Sequence, residues 1–117
     1  MFVTALVLSL LLALFFAMTG IPKAAGAKLM RDTAEHFHLP ATSVRGIGAL
    51  ELAGSAGLVI GLPVAPLGVA AAAGLALLMA GAVIFHARAH DPLARVAAPA
   101  IAGLIAVAAA IVRAASA

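Results

Sequence analysis

A chain of 117 residues that is 66% hydrophobic and only 9% charged carries more apolar surface than a soluble domain of its size can hide, so its solvent is expected to be lipid. The net charge of +3 rests on seven basic residues with no aromatic interleaving, which gives no support to nucleic-acid binding. There is no cysteine, which excludes disulfides, thiol catalysis and thiolate metal sites, and there is no Trp or Tyr, so Phe and Arg must do the anchoring that an aromatic belt usually does.

The first apolar run, 1–20, carries no charge and is long enough to span a bilayer. No Lys or Arg precedes its apolar residues and it has no A-x-A pattern, so a retained helix is expected rather than a signal peptide. Residues 23–39 change character. Met30, Ala34 and Phe37 recur at helical spacing, and Lys28 with Asp32 and Arg31 with Glu35 are opposite charges four apart. This predicts a short amphipathic helix lying in the membrane interface and ended by Pro40. His36 and His38, two apart, should point to different faces, so they read as a solvated loop face rather than as metal ligands with Glu35.

The second span, 46–62, is the most informative. Gly54, Gly57 and Gly61 fall at helical spacing, a pattern that lets helix backbones approach closely in lipid. Glu51 sits among them, on the side of Gly54, so its carboxylate should face the bundle interior. The uncharged turn Pro63-Val64-Ala65-Pro66 leads into a third span, 67–86, with Gly68, Gly74 and Gly81 inside it. Arg88, His90 and Asp91 follow at the membrane edge, and Pro92 marks a stop. The fourth span, 96–113, is Ala-rich, has Pro99 in its first turn and ends at Arg113, which can snorkel at the far end.

These segments predict an all-α fold of one domain over 1–117, with four transmembrane helices in an up-down-up-down bundle and the interfacial helix between the first two. Lys23, Lys28, Arg31, Arg45, Arg88 and Arg95 fall in the segments 21–45 and 87–96, against Arg113 alone on the other face. The asymmetry places both charged loops in the cytoplasm and both termini outside.

That topology gathers Lys23, Arg45, His86, Arg88 and Asp91 at one leaflet, with Glu51 roughly 9 Å deeper than Arg45. A lone carboxylate there needs a partner, so a contact with Lys23 or His86 is expected. These six residues are the candidate ligand-binding set. His86 and His90, four apart beside Asp91, resemble part of a metal site but lack a fourth ligand, so no metal is assigned. No nucleophile–base pair and no phosphate-binding glycine loop is visible, so no enzymatic activity of its own is expected.

Four stretches carry a resemblance: Thr19-Gly20-Ile21-Pro22-Lys23, the run from Arg45 to Gly54, Gly57-Leu58-Val59-Ile60-Gly61, and the run from His86 to Asp91. In order and spacing the chain resembles the DoxX-like family of small bacterial four-helix membrane proteins. The resemblance implies a multi-pass protein of the bacterial inner membrane, and Lys23, Arg45, Glu51, His86 and Asp91 match positions that the family tends to keep polar. Some relatives look like membrane subunits of quinone-linked oxidoreductases, which implies a quinone or a membrane oxidoreductase as a partner. Three functions remain open on these grounds. The bundle holds a lipophilic ligand such as a quinone or lipid near Glu51 or anchors a redox complex; or its glycine faces build a structural homo-oligomer with Glu51 in a register-fixing pair; or it is a small proton-coupled transporter or channel.

Overall fold

Long runs of Ala, Leu, Val and Ile interrupted by few polar residues form helices wherever a turn signal does not stop them. The computed structural model describes residues 1–116 and contains α1 (Phe2–Ala25), α2 (Lys28–His36), α3 (Ala41–Ile60), α4 (Ala65–Arg88) and α5 (Leu93–Ala115), with no strand among the described residues. The fold is all-α. Helices α1, α3, α4 and α5 are each long and apolar enough to cross a membrane, and α3, which carries Arg45 and Glu51, is the least hydrophobic of the four. Large apolar side chains such as Leu14, Leu77 and Leu104 lie more than half exposed on their outer faces, as expected where the surroundings are acyl chains.

Helix ends follow local chemistry. Pro22 stands inside α1, which runs on through Lys23 to Ala25 and is closed by Gly26 in the left-handed conformation (φ 70°). The Ala27 N–H then bonds back to the Pro22 carbonyl at 3.0 Å. Helices α2 and α4 stop in a common way. His38 and His90 each take φ 56°, and the next residue, Leu39 or Asp91, donates its N–H to a carbonyl five residues earlier. Pro40 and Pro92 follow and cap the next helix.

Glycines set the spacing between helices. Gly20 of α1 faces Gly48 and Glu51 of α3, and a Cβ on Gly48 would come within 2.6 Å of the Lys23 Cβ. On another side of α3, Gly54 receives Leu75, Gly57 meets Ala71, and Gly61 touches the Gly68 backbone. Following α3 forward therefore follows α4 backward. The glycines at 54, 57 and 61 are packed against α4 of the same chain. Leu12, Ala13, Phe16, Leu58, Ala72, Leu75, Met79, Ala102, Ala106 and Ala109 fill the shared core. Within it, the Ser55 hydroxyl donates to the Ala13 carbonyl at 2.6 Å, the satisfaction that a buried hydroxyl requires.

Arg113 departs from its expected snorkelling position. It is 7% exposed, donates through Nη2 to the Leu62 carbonyl at 2.9 Å and through Nε to the Gly61 carbonyl at 3.4 Å, and lies 5.3 Å from the Phe2 ring centroid. The end of α3 leaves carbonyls without helical partners, and a guanidinium that reaches them gains more than one turned to the interface.

The contact of Gly61 with the Gly68 backbone makes a test. Gly61→Ala forces the backbones of α3 and α4 apart and should lower stability by about 1–3 kcal/mol. Gly74→Ala, where a Cβ meets nothing within 4 Å, should leave it within about 0.5 kcal/mol. Thermal unfolding of the two variants in the same detergent reads the difference.

Candidate functional site

The close approach of α1 and α3 at Gly20 and Gly48 brings together two charges from the same end of the bundle. Lys23 Nζ donates to Glu51 Oε1 at 2.8 Å, and the Thr19 hydroxyl lies 3.3 Å from Glu51 Oε2. The Glu51 side chain is 1% exposed and that of Lys23 is 24% exposed. The carboxylate is therefore fully inside, held by α1 alone, while the ammonium retains access to the outside. An ion this buried persists only with its partner in place.

A second polar cluster stands nearby. The left-handed turn at His90 swings Asp91 back over the last turn of α4, where its N–H bonds the His86 carbonyl. Its carboxylate then reaches His86 Nδ1 at 2.6 Å through Oδ2 and His36 Nε2 at 2.7 Å through Oδ1. The His86 hydrogen bond is the main influence holding the Asp91 carboxyl below its ordinary value of 3.8; burial works the other way, and His36 adds to the lowering. An ionised carboxylate only accepts, so His86 carries its proton on Nδ1, and its Nε2 has no protein hydrogen bond among the described residues.

Between the two clusters lies a cavity of about 340 Å³. Its polar groups are Lys23, Glu51, His86 and Thr33, and its walls are apolar: Val44 and Ile47 from α3, Leu78, Met79, Ala82 and Phe85 from α4, and Phe37 from the end of α2. The glycine contacts explain the opening. They hold α3 to α4 from Gly61 to Gly54, and beyond them the cavity lies between Ile47 of α3 and Phe85 of α4, where a Cβ on Gly81 would meet nothing within 4 Å. Phe37 closes this end, packing edge-on to the His86 ring at 5.0 Å and tilted against Phe85 at 6.0 Å.

A family model described as the DoxX-like family matches residues 7–109. The chain belongs to the DoxX-like family. No curated protein and no solved structure matches it. Membership and four apolar helices together fit a multi-pass integral membrane protein of this family, with the bilayer around its exposed apolar faces.

In this DoxX-like chain the structure brings Lys23, Glu51 and His86 to one cavity and sets Asp91 behind His86. Of the two partners expected for Glu51, Lys23 makes the contact and His86 turns to Asp91 instead. Arg45 lies in a neighbouring cleft, and Arg88 is exposed and outside the cavity wall. Gly54 does not share the Glu51 face; it packs on Leu75 while Glu51 faces Gly20. His36 is exposed, as a solvated face implies, but it also has a partner. As the last residue of α2 it reaches Asp91 across 55 positions of sequence. Nothing local in the sequence signals that contact. The pairs Lys28–Asp32 and Arg31–Glu35 do not form ion pairs, since exposed charges gain too little from one another to hold two long side chains in place.

Two measurements follow from these clusters. Lys23→Met strands Glu51 and should cost roughly 3–5 kcal/mol of stability, more than the double variant Lys23→Met/Glu51→Met. Because folding lowers the Asp91 carboxyl below 3.8, its contribution is complete above that pH and fades as pH falls further. Asp91→Asn should therefore melt below wild type at pH 6, with the gap closing as the pH drops below about 3.8.

Proposed function

We propose that the protein spans the bacterial inner membrane as an up-down-up-down bundle, with α2 lying in the interface, and that its cavity holds a lipophilic molecule with a small polar head. The charged segments 21–45 and 87–96 are assigned to the cytoplasmic side by their excess of Lys and Arg. The observation that carries the reading is the cavity itself, whose walls are apolar and whose polar groups converge from four helices. Its size lies at the lower end of the roughly 300–1,000 Å³ common for ligand sites.

The chemistry of the lining narrows the head group. Glu51 and Lys23 cancel one another in charge, so the site favours a neutral head. Lys23 keeps protons beyond the one given to Glu51, and His86 Nε2 has no protein hydrogen bond among the described residues. A hydroxyl or carbonyl head that accepts from Lys23 and hydrogen-bonds His86 is complementary to both. A quinone in its reduced, hydroxylated form or a neutral lipid fits that description, and the resemblance to quinone-linked relatives favours the former. A membrane oxidoreductase is then the partner class, with this chain as its ligand-holding subunit. Glu51 acts as the fixed polar wall of the site, since both of its oxygens already face α1.

Native mass spectrometry of protein extracted from its own membrane tests the reading together with add-back of a short-chain quinol. The Gly81→Leu variant fills the cavity from a position that touches neither cluster. Wild type should retain or bind a neutral lipophile, and Gly81→Leu should bind it at least about tenfold more weakly, a loss of about 1.4 kcal/mol, at unchanged melting temperature. Equal binding by the two proteins would remove the cavity from this role.

A further inference from the structure

On the other side of Lys23 and Val44 lies a second cleft, of about 230 Å³, formed by the end of α1, the first turns of α2 and the start of α3. Lys23, Arg31 and Arg45 line it, and no acidic residue does. The Lys23 charge is already matched by Glu51. Neither Arg31 nor Arg45 has a carboxylate partner among the described residues, so two guanidinium charges of the same sign converge with nothing to neutralise them. Arg45 is fixed in this position, because its Nε donates to the Ala24 carbonyl at 3.2 Å and its terminal nitrogens are left for another acceptor. Like charges gathered in a cleft call for a counter-anion, and the planar fork of Arg matches a phosphate with two parallel hydrogen bonds.

We propose that this cleft is a phosphate-binding site formed by Arg31 and Arg45, which takes either the head group of an anionic phospholipid or free phosphate. It stands apart from the cavity, sharing only Lys23 and Val44 as a common wall. It lies where α1 ends and α3 begins, at the charged end of the bundle, the level at which lipid phosphates are found.

The test uses the full chain in detergent with phosphatidylcholine and phosphatidylglycerol supplied in equal amounts, and counts retained lipid by native mass spectrometry. Wild type should retain phosphatidylglycerol in preference, and Arg31→Gln and Arg45→Gln should each weaken that retention about tenfold. Lys28→Gln and Arg95→Gln, which remove the same charge from the same end outside the cleft, should match wild type. Gly81→Leu should match wild type too, which separates this site from the cavity. Arg31→Gln keeps the test decisive if Arg45→Gln does not fold, because Arg31 makes no internal side-chain hydrogen bond among the described residues. In a second arm, inorganic phosphate replaces the lipid. Stabilisation by phosphate that is lost in Arg31→Gln, without lipid preference, assigns the site to the free ion. Equal losses in all four charge variants, or a wild type that prefers neither the anionic lipid nor phosphate, would overturn the proposal.

Discussion

The structure depends on a carboxylate that has no access to water. Glu51 is 1% exposed inside a bundle whose outer faces are hydrocarbon, and the ammonium of Lys23 at 2.8 Å makes its charge tolerable there. The pair requires α1 and α3 to approach more closely than ordinary side chains allow, and Gly20 and Gly48 supply that approach. In lipid, where no apolar collapse draws helices together, a buried charge pair and small-residue contacts are the forces available to set register. Arg113 plays the corresponding part at the opposite end, tying α5 to the carbonyls that end α3.

From that interface the remaining geometry follows. Helix α3 uses one side for α1 and another for α4, and its glycines hold α4 close only along the stretch from Gly54 to Gly61. The chain then has no small-residue contact to keep the two helices together at the Ile47 and Phe85 level, and the gap becomes the cavity. The short helix α2 closes it with Phe37 and is fastened by His36 to Asp91, which also orients His86. A single aspartate thereby joins the roof of the cavity to one of its polar walls.

The polar groups at this end sort by partner. Lys23 and Glu51 neutralise one another, Asp91 draws both of its histidines, and Arg31 and Arg45 are left as unmatched cations around a cleft. The sorting divides the end of the bundle into a neutral, largely apolar chamber and a basic one, with Lys23 on the wall of both.

Composition and local pattern determined the class of solvent, the four long helices, the inward position of Glu51 and its need for a cationic partner, while the choice of Lys23 over His86 was made by the tertiary structure. These were legible because apolar length and an isolated charge within it admit few solutions in lipid. The glycine spacing was legible as close packing, but not its recipient, since a small residue is a permissive surface and carries no address. The His36–Asp91 contact and the buried position of Arg113 were not legible, because each joins residues more than 50 positions apart whose meeting depends on how helices are stacked. The cavity belongs to the tertiary structure alone. It is a space between α3, α4 and the end of α2, and only the way these helices stack decides whether such a space exists.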